Sequence, residues 1–201
     1  REFVKIKRRY PEEQVFVKEK KVIKPFDLVV PKAAVGVKLP SFSKNSLELL
    51  RKDLSLSMLL DYNFDETSDF YEMLSENKIL NDTYGYESQI DDGFSYCYFS
   101  IDSFRYEEFL NLLKNRLLNL KYLTEEEFIR YKNTIIASNI RKMNSLEYYG
   151  TSLVDGCFCD LTLFQIFDEI NNITLDDVNS LIEYFTLDSI SFIVFKGEAD
   201  Q

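Results

Sequence analysis

The sequence of 201 residues contains no histidine, only six glycines and four prolines, and three cysteines. Without an imidazole the chain has no histidine to act as general base, proton shuttle or metal ligand, which removes most hydrolase sites from it. Cys97, Cys157 and Cys159 form no disulfide framework, and the Cys-Phe-Cys run lacks the C-x-x-C spacing of redox and zinc sites. Buried thiols in a reducing interior, with the cytoplasm as location, are therefore expected. No run of about 18 apolar residues is present to span a bilayer. The opening REFVKIKRRY has neither an initiator methionine nor the apolar segment of a signal peptide, so a piece of a longer protein is expected. Neither G-x-G-x-x-G nor G-x-x-x-x-G-K-[ST] occurs, which excludes the common phosphate loops.

What is present is the composition of a globular domain: 45% hydrophobic, 15% aromatic and 29% charged residues. A chain this long buries roughly 70% of the surface its unfolded form exposes, enough for a true core. The net charge of −10 argues against nucleic-acid binding, but it is unevenly spread. Residues 1–40 carry 11 basic side chains against 5 acidic ones, and the remainder 13 against 29. A basic arm of this kind is suited to hold phosphate or an acidic partner surface, or else is a solvated linker leading into an edge strand that its charges protect from aggregation.

Residues 1–30, with weak alternation in VFVKEKKVIK and prolines at 25 and 31, read as a linker or extended arm with edge-strand character. Residues 31–201 read as a single α+β domain. Its first strand, PKAAVGVKLP, is apolar on both faces and suits a central position. A helix follows from Ser46, with Leu47, Leu50, Leu54 and Met58 on one face. A second starts at Ser68 or Asp69 and carries Phe70, Met73 and Leu74. TYGYESQI and FSYCYFSI then alternate with period two around the turn signal DDG, a hairpin. Further helices follow, one opened by the capping box Thr124/Glu127 and another by Thr174 with Asp177. Between them, residues 145–171 read as one or two helices interrupted at Gly150 or Gly156. SISFIVFKG closes as a strand. The expected architecture is β-α-α-β-β-α-α-α-β, a four-stranded, mostly antiparallel sheet with helices layered on it.

Candidate chemistry is sparse. Asp91 and Asp92 fall in a turn that wants Asp and Gly for backbone reasons. The hairpin aromatics have almost no positive charge beside them, so stacking on nucleic acid is not expected. A strand edge that takes up an extended peptide needs no special side chains and fits better.

LDYNFDETSDFYEMLSENKILNDTYGYES, SLEYYGTSLVDG and NNITLDDVNSLIEYF, with the order of elements, resemble the repeated domain of the pitrilysin/insulinase family of zinc peptidases. That family includes the mitochondrial processing peptidases, and the small bacterial insulinase-like members are the most similar. The resemblance covers residues from about 30 to 197. It implies two related domains in each half and two halves closing around an extended peptide, with the zinc signature H-x-x-E-H in the first domain. This chain resembles the C-terminal, non-catalytic domain, so it is expected to hold no catalytic residue and no metal. Zinc is expected in the N-terminal domain of the parent if the parent is active. The implied partners are that N-terminal domain, a second half-molecule (a homodimer mate or a paralogue) and an extended peptide. The resemblance also implies a helper Arg near the end of the second helix and a Tyr at the start of the hairpin, which hold the substrate carbonyl. Ser75 stands at the Arg position and Lys78 at that of the usual Gly, while Tyr84 or Tyr86 keeps a phenol donor. The alternative is a domain of an inactive family member that serves as a binding or scaffold subunit beside an active paralogue.

Overall fold

Strand β2 (Lys32–Leu39) alternates so that Ala33, Val35, Val37 and Leu39 are buried while the residues between them stay half-exposed or exposed. Such alternation needs a cover on one face only. The structure, a computed structural model, describes residues 14–43, 45–159 and 161–197. In it β2 is the middle strand of a mixed sheet built with β1 (Lys21–Pro25), β3 (Gly85–Asp91), β4 (Phe94–Asp102) and β5 (Ile190–Lys196), in the order β1-β5-β2-β4-β3. The β3-β4 hairpin turns through Asp92-Gly93, and Gly93 takes φ 95°, a conformation that glycine adopts without strain.

The sheet has five strands rather than the expected four. The fifth, β1, comes from the stretch read as an arm and pairs in parallel with β5, Lys21 opposite Phe192 through Pro25 opposite Lys196. Its entry is held by the backbone bond from Phe192 N to the Lys20 carbonyl, by Ser191 Oγ donating to the Glu19 carbonyl at 2.6 Å, and by the Lys20–Asp188 ion pair. These contacts lie about 170 positions apart along the chain, beyond the reach of local pattern. All other pairings are antiparallel.

Helices cover the face that carries Val35, Val37, Cys97, Phe99, Ile101 and Val194. They are α1 (Ser46–Phe64), α2 (Asp69–Glu76), α3 (Tyr106–Leu117), α4 (Glu125–Lys142), α5 (Leu146–Cys159), α6 (Leu163–Asn172) and the short α7 (Leu175–Asn179), which runs into a 3₁₀ turn, Ser180–Tyr184. Asn45 caps α1, and Ser68 caps α2 by accepting from Tyr71 N. Capping boxes open α4 (Thr124/Glu127), α6 (Thr162/Gln165) and α7 (Thr174/Asp177). The break in residues 145–171 is at neither glycine: Gly150 and Gly156 lie inside α5. The chain turns after α5, where Leu161 N donates to the Gly156 carbonyl at 2.8 Å, and Thr162 then begins α6. A Cβ on Gly156 would stand 2.4 Å from the Leu161 oxygen, so this reversal requires glycine.

Two asparagines hold the loop between α3 and α4. Asn63, fully buried on α1, accepts from Lys121 N and donates to the Lys121 carbonyl; Asn179 does the same for Leu123. Each amide pairs with backbone as a strand would, so the polar groups are satisfied where water is excluded. Arg51 donates from Nε and Nη2 to Glu169 Oε2 at 2.9 and 2.7 Å, tying α1 to α6.

Helix α2 ends with Ile79 N on the Leu74 carbonyl and with Lys78 at φ 55°, the left-handed position that glycine favours. Replacing Lys78 by Gly is therefore expected to raise the urea midpoint, by about 0.5–1 kcal/mol in unfolding free energy; an unchanged or lower midpoint would show that Lys78 carries no backbone strain.

Candidate functional site

The last residue of α1, Phe64, is fully buried with its ring 5.3 Å from Phe70 of α2 and 4.6 Å from Phe99 of β4, both edge-on. This contact brings the end of α1, the start of α2 and the first residues of β3 together. Between them lies a cleft of about 390 Å³ lined by Asp65, Glu66, Tyr71, Asp82, Tyr84 and Tyr86 among others. β3 forms one of its walls and is also an edge of the sheet, with no strand paired to its outer side among the described residues.

Both sequence-predicted tyrosines are here. The Tyr84 hydroxyl donates to the Phe64 carbonyl at 3.1 Å, and its ring packs 6.0 Å from Tyr71 and 6.0 Å from Phe109. The Tyr86 hydroxyl donates to Asp61 Oδ1 at 2.8 Å, with its ring 5.9 Å from Phe99. Burial, then Tyr71 and Asp65, push the Tyr84 phenol well above its ordinary value. Burial, then Asp61, do the same for Tyr86. Each phenol is thus a neutral donor whose proton already has a partner.

Ser75 is exposed in the last turn of α2, and its carbonyl accepts from Lys78 N at 2.9 Å. A guanidinium nevertheless stands at this helix end, supplied from elsewhere. Arg105, just before α3, donates to the Asn77 carbonyl and grips Glu108 through Nε at 2.9 Å. It neutralises the carbonyl end of α2. Sequence reasoning missed Arg105 because it lies 28 positions from Asn77 and carries no local signal. Asp61 was missed for another reason: it continues the Leu47, Leu50, Leu54, Met58 stripe of α1, where a carboxylate carries no local signal, and only the packing of β3 brings Tyr86 to it.

Among the described residues no group of three or more Cys, Asp or Glu is placed to hold a metal ion. The described residues do not fit zinc: there is no imidazole, the carboxylates do not form a three-ligand group, and two of those near the cleft, Asp65 and Asp61, accept from Thr67, Tyr131 and Tyr86. No described helix is long and apolar enough to cross a membrane.

A second cleft, of about 330 Å³, runs along β3 between Ser57 and Asp61 on one side and Glu87 and Ser88 on the other. Asp53 stands one helical turn before Ser57 on α1 and has no hydrogen-bond or ion-pair partner among the described residues, so burial pushes its carboxyl up to about 6. Burial also raises Asp61, the Tyr86 hydrogen bond offsets part of that, and Asp65 adds to the rise. A carboxyl raised in the folded chain binds its proton before the unfolded chain does, so stability falls as pH climbs from about 4 through about 6. Urea unfolding should accordingly show the chain more stable at pH 5 than at pH 7, with about 1 kcal/mol of that difference due to Asp53. Asp53→Asn should shrink the difference and raise stability at pH 7; a variant with the wild-type pH profile would remove Asp53 as the cause.

Comparisons with known proteins agree with this architecture. The chain is 29% identical over 181 residues to the uncharacterized zinc protease YmfH of Bacillus subtilis (strain 168), an alignment that covers 89% of this chain and 42% of YmfH. The chain thus spans less than half the length of that curated relative. A crystal structure from Alicyclobacillus acidocaldarius, described as an M16-like peptidase, superposes with a TM-score of 0.83 at 19% identity, over 95% of this chain and 46% of the other. The inactive peptidase domain of a Bordetella parapertussis protein described as a zinc protease matches with a TM-score of 0.59 at 19% identity, over 82% of this chain and 89% of that one. The family profile described as "Peptidase M16 inactive domain" matches residues 1–135, two thirds of the sequence, and on that match the chain belongs to the M16 peptidases as their inactive domain.

Proposed function

We propose that this domain is the non-catalytic part of a zinc-dependent peptidase: it forms one wall of the peptide-enclosing cavity and a contact surface for the other domain and half-molecule. The observation that carries this reading is the match to the inactive M16 domain by a chain without a single histidine. Zinc, which activates the attacking water in such peptidases, is then held by another domain of the parent. The part played here is physical. Edge strand β3 offers unpaired backbone groups to an extended peptide, and the adjoining cleft accepts its side chains. The thiol pattern, with Cys97 buried and Cys157 free, suits a reducing compartment such as the cytoplasm.

Within that reading, Tyr84 and Tyr86 serve as packed walls of the cleft rather than donors to substrate. Their hydroxyls are committed to Phe64 and Asp61, and a substrate carbonyl must displace those bonds to be bound. A second reading, in which the parent is an inactive scaffold beside an active paralogue, is favoured by one observation: Ser75 offers no charge where the resemblance implies Arg. An H-x-x-E-H motif elsewhere in the parent separates the two.

In the full-length parent, peptide cleavage should be abolished by a chelator and restored by zinc, while the 201-residue chain alone should neither cleave nor hold stoichiometric metal. Cleavage by this chain, or tight zinc binding to it, would overturn the proposal. Tyr84→Phe and Tyr86→Phe in the parent should leave turnover within about twofold and lower stability by about 1 kcal/mol each; a selective drop in kcat would instead make them donors to the substrate.

A further inference from the structure

Strand β1 carries the sheet one strand past its helical cover. Parallel pairing sets Lys21 beside Phe192 and Ile23 beside Val194, so these side chains share the face on which the helices lie. Val194 is fully buried there while Ile23 is 47% exposed, so the cover ends between β5 and β1. The helix bordering this step is α3. Phe109, Leu113 and Leu117 bury its core stripe, and Glu107, Leu110, Asn111 and Lys114 recur along the neighbouring face at helical spacing. Where that face meets Lys21 and Phe192 there is a cavity of about 320 Å³, the size of a small-molecule site.

The chemistry of the cavity is divided along its length. Leu110, 8% exposed, and Phe192, packed against the core, give it an apolar floor. Glu107 stands in the first turn of α3 and Lys114 in the last, Asn111 lies between them, and Lys21 adds a second ammonium from the strand. None of these four polar side chains has a hydrogen-bond or ion-pair partner among the described residues. The Glu107 and Lys114 positions are about 10 Å apart along the helix axis, so one helix face presents a carboxylate and an ammonium that do not neutralise each other.

A ligand that satisfies both ends must carry an ammonium and a carboxylate held well apart. A free α-amino acid has both charges on one carbon and reaches only one end. Two or three extended residues span about 7–10 Å, and an ω-amino acid of similar length does the same. We propose that the cavity between α3 and β1 is a binding site for a small zwitterion whose ammonium and carboxylate are joined by a short apolar chain. Glu107 receives the ammonium, Lys114 and Lys21 hold the carboxylate, and Leu110 with Phe192 accepts the chain. Asn111 pairs with the peptide group where the ligand is a dipeptide. β1 and β3 are opposite edges of the sheet, so this site is separate from the β3 cleft and does not depend on the proposed role in peptide enclosure.

Isothermal titration calorimetry of the 201-residue chain with leucyl-phenylalanine and with 6-aminohexanoate tests the site. Exposed charges hold weakly, so a dissociation constant of about 1 mM is expected for the better of the two, whose identity tells peptide from ω-amino acid. N-acetylation, C-terminal amidation, or replacement by free leucine should each weaken binding about threefold or more. Glu107→Gln should remove the preference for the free over the acetylated dipeptide and keep that over the amide. Lys21→Gln combined with Lys114→Gln should do the reverse. Thermal melts of these variants should match the wild type, since the replaced side chains have no partners to lose. Absence of saturable binding up to about 10 mM overturns the proposal. So does binding indifferent to the ligand's end charges, or wild-type affinity and selectivity in the folded variants, which would put the ligand elsewhere, as in the β3 cleft.

Discussion

The burial of one ring, Phe64, underlies the rest of the site. It ends α1, yet its neighbours come from α2 and β4, while its carbonyl receives the Tyr84 hydroxyl from the entry to β3. Removing apolar surface of this size from water is the dominant favourable term available to so small a region. The edge-on geometry with Phe70 and Phe99 fixes orientation as well as position. Helix end, second helix and edge strand are thereby placed at one spot, and the cleft is what remains between them. A site formed in this way is shaped chiefly by packing, which suits a domain that provides surface more than reactive groups.

Polar groups around this core are spent on holding elements in place. Asn63 and Asn179 clamp the α3-α4 loop by pairing with its backbone. Arg105 closes α2, and Tyr86 and Asp61 satisfy each other across the α1-β3 boundary. Asp53 is an exception, a half-buried carboxyl with no partner among the described residues, as is the buried Ser95 hydroxyl. The cost of Asp53 is present at neutral pH and is relieved by protonation as the pH falls below about 6. A further exception is α5, whose apolar side faces away from the core that the other helices share.

Much of the fold was legible locally. The Thr124/Glu127 and Thr174/Asp177 caps, the Asp-Asp-Gly hairpin and the alternation of β2 each depend on residues within a few positions of one another, and each is found where the pattern put it. The edge-strand character of residues 1–30 was legible too, with β1 at the sheet edge, but its partner was not, because the pairing of Lys21–Pro25 with Ile190–Lys196 is decided by residues at opposite ends of the chain. Gly150 and Gly156 were read as interruptions of a helix, since glycine lowers helix propensity. The turn after Cys159 and the Thr162 cap end and restart the helices instead, and both glycines remain inside α5. The candidate site was half legible. Tyr84, Tyr86 and Ser75 were identified from resemblance, but the partners of the two hydroxyls and the identity of the cation at the α2 end were not.

By itself the sequence determined the chemistry that is absent. A chain without histidine has no histidine-based zinc site or general base, whatever its fold, because that limit follows from composition. It determined element types as well, through periodicity and capping, which act over one or two turns of chain. Only the tertiary structure decided which phenol proton goes to which acceptor, that Arg105 stands at the end of α2, and that the apolar side of α5 faces outward. Those outcomes depend on how sheet register and helix packing bring distant residues together, and that information is distributed over the whole chain rather than carried by any local stretch of it.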